Sequence, residues 1–217
     1  MTFPIPSSRI SDRIWSAYRT RCHRFLAIAY KEALPRILTE PDEETDITGY
    51  LCEALEDWFR KNPKESTCFY IKDDPPLGQS KKTGKRRPRT DIIIGFAAGN
   101  RPEFYIEAKR LHHTKARAAK YTGVNGMGCF ISGRYAKCYH EVAMLGYVQT
   151  DDIDYWRIKL RTHIKSKLSE LQLMVFDETA SFSDSFPQEW ATTHHRDGLP
   201  SIRIFHILIN CIQSSAN

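Results

Sequence analysis

Asp91, Glu107 and Lys109 are the residues whose types and spacing could do chemistry in this chain. On a β-strand, side chains two positions apart share a face. Glu107 and Lys109 therefore project together from the strand-forming run 103–109, and Ala108 points away. A second β-forming run covers 91–96, and the connection between the two, 97–102, carries Gly99, Asn100 and Pro102, the composition of a hairpin turn. Asp91 and Glu107 are equidistant from Gly99, so a hairpin centred there sets them opposite each other on one face. A slip of one residue would undo that alignment.

Facing carboxylates repel, and a divalent cation resolves the conflict. Mg²⁺ takes carboxylate oxygens at roughly 2.0–2.1 Å and keeps water and phosphate oxygens as its other ligands. Asp91, Glu107 and the carbonyl of Ala108 are the candidate metal ligands, with Mn²⁺ as a substitute ion. Such an ion lowers the pKa of a water and neutralises charge growing on phosphorus. Lys109 would orient or deprotonate that water, or stabilise the developing charge. Spacing alone is weak support, because Asp-x15-Glu-x-Lys recurs in many charged chains. Three contexts strengthen it: the Asp heads an apolar strand, the Glu and Lys lie within the next, and basic segments flank both.

Those basic segments are Lys81, Lys82, Lys85, Arg86, Arg87 and Arg89 before the pair of strands, and Arg110, Lys115, Arg117 and Lys120 after it. Lys85, Arg86, Arg87, Arg89, Arg110, Lys115, Arg117 and Lys120 are the candidate nucleic-acid contacts. A net charge of +6 points the same way, toward a polyanionic partner.

The elements that must position this centre follow from periodicity. A first helix, capped by Ser7 or Ser8, carries Ile10, Ile14, Tyr18, Cys22, Leu26 and Ala29 on its apolar face and ends near Pro35. Arg9, Arg13, Arg19, Arg21 and Arg24 lie on its other face, either solvated or touching phosphate. A second helix spans about 42–60 with acidic residues in its first turn. Its stripe of Thr48, Leu51, Leu55 and Trp58 extends back to Glu44, whereas Glu43 aligns with Ile47, Tyr50 and Ala54. Glu44 is the better candidate to reach the centre, where it would hold a second metal or a water, but the choice over Glu43 stays open. A strand is expected at 68–71, then a long polar loop to Thr90. After the hairpin come a Gly-rich stretch at 123–128, a helix over 135–143, a short strand at 145–148, a long helix marked by Ile153 to Leu171, a loop carrying His194 and His195, and a last strand over 202–209.

With 217 residues, 41% hydrophobic and 27% charged, the chain suits one α/β domain over 1–217, the 1–35 helix packed on it or appended to it. No apolar run is long enough to span a bilayer, and residues 1–6 do not read as a signal peptide. Six cysteines, none closer than nine positions, give no zinc spacing and suggest reduced core thiols in the cytoplasm.

Glu44 in an early helix, Asp91 before an Ile-rich strand, and Glu107-Ala108-Lys109 in the next resemble the core of the PD-(D/E)XK, restriction-endonuclease-like superfamily. The likeness covers about residues 40–150. It implies a mixed central sheet with helices on both sides and Mg²⁺-dependent phosphodiester hydrolysis, with DNA as the usual substrate. Thr90 stands where that pattern has proline. Gly133-Arg134-Tyr135-Ala136, Met144-Leu145-Gly146-Tyr147 and His195-Arg196 are similar to segments of compact nuclease-fold proteins of bacterial or phage origin. An RNase and a silent nucleic-acid-binding module are the alternatives, as is a protein whose basic loops dock an acidic partner. Roles in antiviral defence, repair, recombination or toxicity stay open, as does assembly into a homodimer or with a partner protein.

Other residues carry weaker signals. His112-His113 and His194-His195-Arg196 suit polar loops or phosphate contacts. The Gly-rich stretch follows no βαβ strand and is no dinucleotide fingerprint, but its amides could approach a phosphate. Trp15, Trp58 and Trp156 suit the core, and Tyr121 and Tyr135 suit base stacking.

Overall fold

The computed structural model describes residues 12–38, 42–75, 89–97, 102–113, 117–180, 186 and 188–212. Helices α1 (Asp12–Ala33) and α2 (Glu44–Lys61) lead, with the short α3 (Pro63–Ser66) after them. An antiparallel meander follows, β1 (Phe69–Asp73), β2 (Ile92–Phe96) and β3 (Glu103–Leu111). Two short helices, α4 (Arg117–Thr122) and α5 (Met127–Ile131), lead to β4 (Glu141–Val148), which lies parallel to β3. Then come α6 (Ile153–Ser166), β5 (Leu173–Asp177), β6 (Trp190–Arg196) and β7 (Leu199–Asn210). All seven strands form one mixed sheet in the order β1-β2-β3-β4-β7-β6-β5.

Helices flank both faces, and adjacent residues of β7 show how. Phe205 meets the ring of His23 from α1 at 5.6 Å, while the next residue, His206, shares a hydrogen bond of 3.0 Å with the Tyr121 hydroxyl of α4. Tyr147 of β4 reaches Thr48 of α2 at 2.8 Å, so α1 and α2 share a face and α4 lies opposite. No described helix is long and apolar enough to cross a membrane.

The structure departs from several expectations. The segment 135–143 is not a helix: it is a turn-rich stretch leading into β4, which begins at Glu141 rather than 145. All eight β4 residues are buried, and a strand covered on both faces reads as an unbroken apolar run with no alternation to separate it from a helix. His194 and His195 lie in β6 rather than in a loop. His194 is buried, bonded to Thr192 and the Leu171 carbonyl. Strand β5 is an addition that the periodicity does not announce, and α6 stops at Ser166, leaving Leu168 exposed beyond it. Tyr121 and Tyr135 are buried, so neither offers a ring for stacking.

On α1 the Arg face is not uniformly solvated. Arg19 is buried and pairs with Glu141 at 2.5 Å, with the Trp15 indole N–H donating to the same carboxylate. This charge pair fastens α1 to the start of β4. Ile14, expected in the apolar stripe, is instead exposed. Ser7, Ser8, Arg9 and Ile10 lie outside the described residues, as does the turn at Gly99. Trp15 and Trp156 are buried, Trp58 packs on the core, and all six cysteines are free.

Candidate active site

The hairpin register is the one expected: Ile92 pairs with Ile106, Ile93 with Tyr105 and Ile94 with Phe104, which sets Asp91 opposite Glu107 by continuation. Strand β3 outruns β2. Ile92 is the first residue of β2, whereas β3 continues to Leu111, so the β3 backbone beyond Ile106 loses its neighbour on that side. Every buried backbone donor needs a partner, and side chains supply them. Thr90, in the place of the expected proline, donates its hydroxyl to the Ile106 carbonyl at 2.9 Å. Asp91 accepts the Ala108 N–H at 2.6 Å, and Glu44 accepts the Arg110 N–H at 3.0 Å.

The open edge of β3 thereby gathers carboxylates from two other elements beside its own Glu107. Helix α2 brings Glu44 because Glu43 forms the cap, its backbone N–H donating to Asp46 at 2.8 Å, and Glu44 becomes the first helical residue. Glu43 itself pairs with the Arg110 guanidinium at 2.6 Å. The alternative between Glu43 and Glu44 thus resolves to Glu44 at the centre and Glu43 at its rim.

Lys109 sits among the three carboxylates. Its ammonium donates to Glu44 at 2.8 Å, Glu107 at 3.0 Å and the Ala108 carbonyl at 2.5 Å, with Asp91 at 3.8 Å. Three protons meet three acceptors, the full capacity of an ammonium. Burial acts against its charge, but Glu107, Asp91 and Glu44 outweigh that and hold its pKa above the ordinary lysine range.

One ammonium does not neutralise three carboxylates. Burial pushes Glu107 up to about 8, with Asp91 adding to the rise and Lys109 opposing it. Asp91 is raised to about 6, again by burial first, with Lys109 and the Ala108 N–H pulling the other way. The second oxygen of Glu107 is buried with no hydrogen-bond partner among the described residues. An unpaired buried carboxylate oxygen, a facing Asp and an inward carbonyl are the donor set a hard divalent cation takes. Among the described residues, no group of three or more His, Cys, Asp or Glu side chains forms a metal cluster by itself. Lys109 is the cation these carboxylates share.

The candidate nucleic-acid contacts divide. Lys85, Arg86, Arg87 and Lys115 lie outside the described residues, and of Arg117 only the α4 backbone is described. Arg89 pairs with Asp74 at 2.6 Å. Arg110, also a candidate contact, is buried and bonded to Gln149 at 2.6 Å as well as to Glu43. Lys120 is exposed on α4. His112 and His113 stack on each other just past β3.

Of the 123–128 amides that could approach a phosphate, two are engaged within the turn. Those of Gly126 and Gly128 donate to the Gly123 carbonyl at 2.9 and 3.0 Å, and that of Cys129 donates to Gly126. Sequence reasoning also missed how close the following segment lies to Glu107. Tyr139 packs on Tyr105, two residues before Glu107 on its face, with ring centroids 5.1 Å apart. The mistaken helix over 135–143 hid this, since it removed the turn that folds back over β3.

No family model matches the chain, and no curated protein or solved structure matches it significantly.

Proposed function

We propose that the chain is a metal-dependent nuclease of the PD-(D/E)XK kind, with Asp91, Glu107, Lys109 and Glu44 as its catalytic residues. One observation carries this reading: three carboxylates from three separate elements converge on one lysine where β3 outruns β2. A fold selected for stability alone gains little from such a cluster, because buried carboxylates in excess of their cations are costly. Groups displaced this far from their ordinary pKa gather at functional sites. The α2, β1-β2-β3 meander and parallel β4 are also consistent with the restriction-endonuclease-like arrangement, though not specific to it.

Asp91, Glu107 and the Ala108 carbonyl are the groups that would hold Mg²⁺ or Mn²⁺. The bound ion would supply the charge that acidifies a water and offsets charge growing on the phosphate. Asp91 is fixed for this by the Ala108 N–H, and Glu107 by its place in a buried strand. Glu44, tied to the Arg110 N–H, keeps Lys109 aimed into the centre. With its protons shared among three acceptors, Lys109 acts as an ammonium that orients the attacking water and steadies negative charge, rather than as a base.

The test is incubation of the purified chain with labelled single- and double-stranded DNA and RNA in Mg²⁺, in Mn²⁺ and in EDTA, beside Lys109→Ala and Asp91→Ala. Metal-dependent cleavage that vanishes in both variants is expected, with DNA cut in preference. Binding without cleavage in either metal would leave a nucleic-acid-binding module in place of an enzyme.

A further inference from the structure

Arg134 follows the 123–128 turn and is held in an unusual way. Its Nη2 donates to the Val124 carbonyl at 2.8 Å, to Asn125 Oδ1 at 3.0 Å and to Cys129 Sγ at 2.6 Å. The guanidinium also lies 5.2 Å from the centroid of the Tyr135 ring. All three hydrogen bonds use the same nitrogen, and all three acceptors are neutral. Among the described residues, Arg134 pairs with no carboxylate and its hydrogen bonds all leave from Nη2, which leaves Nε and Nη1 available. The residue is nonetheless exposed on that side. It is an oriented cation with donors to spare.

What orients it is a stiff support. A Cβ added at Gly126 would meet the Tyr121 carbonyl oxygen at 2.0 Å, and one at Gly123 would meet the Ala119 oxygen at 2.7 Å. At both glycines the turn between α4 and α5 is thus packed against the α4 backbone with no room for a Cβ, and the amides of Gly126 and Gly128 are bonded to the Gly123 carbonyl within it. Val124, Asn125 and Cys129 belong to this turn or to the helix it starts. Their grip on Nη2 fixes the plane of the guanidinium before any ligand arrives, and little side-chain entropy is left to lose on binding.

The support also faces the catalytic centre. Tyr121 of α4 bonds His206 and lies 3.4 Å from the Met144 carbonyl, and Met144 is the β4 neighbour of Glu107. Tyr139, five residues after Arg134, packs on Tyr105 of the same β3 face as Glu107, so Arg134 lies on the side of the sheet that carries Glu107, and among the described residues it makes no ion pair with it.

We infer that Arg134 is a substrate-phosphate contact of this centre, holding the nucleic-acid backbone beside Glu107 through its free Nε and Nη1 donors. The inference rests on the nuclease reading of the same site and names a contact outside its carboxylate–lysine core. Guanidinium suits the task because its N–H donors lie in one plane and match phosphate oxygens, and it stays charged at any working pH. A structural role, tying Val124 to Cys129, is the competing account, and it predicts different measurements.

The experiment measures binding of a fluorescent 20-base-pair duplex DNA in EDTA across a salt series. Wild type, Arg134→Gln, Arg134→Lys and the distant Lys31→Gln are compared, each with its melting temperature. Removing one phosphate-binding cation in Arg134→Gln should weaken binding about tenfold and reduce the slope of log K against log salt by about one. Arg134→Lys, keeping charge without the planar donors, should recover most of the slope, and Lys31→Gln should leave it unchanged. A lower melting temperature with an unaltered slope would assign Arg134 to structure and overturn the inference, as would a wild type that binds no duplex. Cleavage in Mg²⁺ separates this result from the fate of the nuclease reading. Wild-type cleavage with KM and slope unmoved in Arg134→Gln removes the contact and spares the enzyme. Arg134-dependent binding without wild-type cleavage removes the enzyme and spares the contact.

Discussion

The Lys109 ammonium and the Glu44 carboxylate, 65 positions apart in the chain, meet at 2.8 Å, and the same carboxylate accepts the backbone N–H of Arg110 with its other oxygen. Glu44 is thus at once a strand cap and a partner of the central lysine. That double engagement couples the integrity of the β3 edge to the charge state of the site.

Removing the lysine tests the coupling directly. Lys109→Met takes away the cation and leaves Glu44, Asp91 and Glu107 facing one another, with Glu107 7% exposed at its side chain. Breaking a buried charge arrangement by deleting one partner costs up to about 3–5 kcal/mol, and the partial exposure of Glu44 and Asp91 places this case at or below the low end. The expected result is a lower melting temperature at pH 8 in EDTA, largely restored at pH 5 or by millimolar Mg²⁺. A variant as stable as wild type at pH 8 would show that the carboxylates do not repel in the way their burial implies.

A second prediction concerns pH in the wild type. The raised values of Glu107, about 8, and Asp91, about 6, mean that the folded chain binds these protons more tightly than the unfolded one. For such groups the stabilising contribution is complete below the unfolded carboxylate pKa, roughly 4, and is lost as pH rises through the folded values. Without metal, this contribution therefore declines from about pH 4, through about 6 for Asp91, to about 8 for Glu107. A divalent ion must displace the same protons, so its affinity should climb over that window and its binding should release protons near neutrality. Calorimetric titration of Mg²⁺ in two buffers of different ionisation enthalpy reads this out. Identical heats in both buffers would contradict it.

Much of this centre is legible in the chain before folding. The period-two spacing of Glu107 and Lys109, and the equal distances of Asp91 and Glu107 from Gly99, fix which side chains share a face once the hairpin forms. Glu44 is legible in part, since the helical stripe favours it over Glu43, but its contact with Lys109 depends on where α2 docks. Two features are hidden for a common reason. β4 is buried on both faces, so its sequence lacks the alternation that marks a strand, and the turn carrying Arg134 runs into a segment that reads as a helix and is not one. The inward pairing of Arg110 with Gln149 and Glu43 is likewise set by how α2 and the residue after β4 pack on β3, which the order of residues does not carry.

Acid should act at a different place, the layer between β6 and β7. His194 is lowered to about 4 by burial, the Leu171 carbonyl only partly offsetting it, and His206 is lowered further by burial and by His194. Both are held neutral, bonded to Thr192 from opposite sides. A depressed folded pKa gives a contribution that is present above the unfolded histidine value, about 6.5, and is lost as pH falls through the folded one. For His194 that loss is on the order of 3 kcal/mol between about pH 6.5 and 4. Urea unfolding at pH 7, 5.5 and 4.5 should show the decline, and His194→Gln should flatten it. An equal slope in both proteins would remove His194 as its origin.

The last prediction concerns the turn between α4 and α5. Gly126→Ala adds a methyl group at 2.0 Å from the Tyr121 carbonyl oxygen, a backbone atom that no rotamer change can move aside. Either the turn opens or α4 shifts, and overpacking of this kind costs about 1–3 kcal/mol. Because Val124 and Cys129 hold Arg134, the displacement should also loosen the guanidinium, while the ties of Asp91, Glu44 and Lys109 to β3 lie on other elements and stay in place. The expected signature is a lower melting temperature with a salt slope for duplex binding that falls toward that of Arg134→Gln. Metal affinity should change little. Loss of metal binding in Gly126→Ala would mean that the turn supports Glu107 as well as Arg134, and that the two parts of the site are not independent.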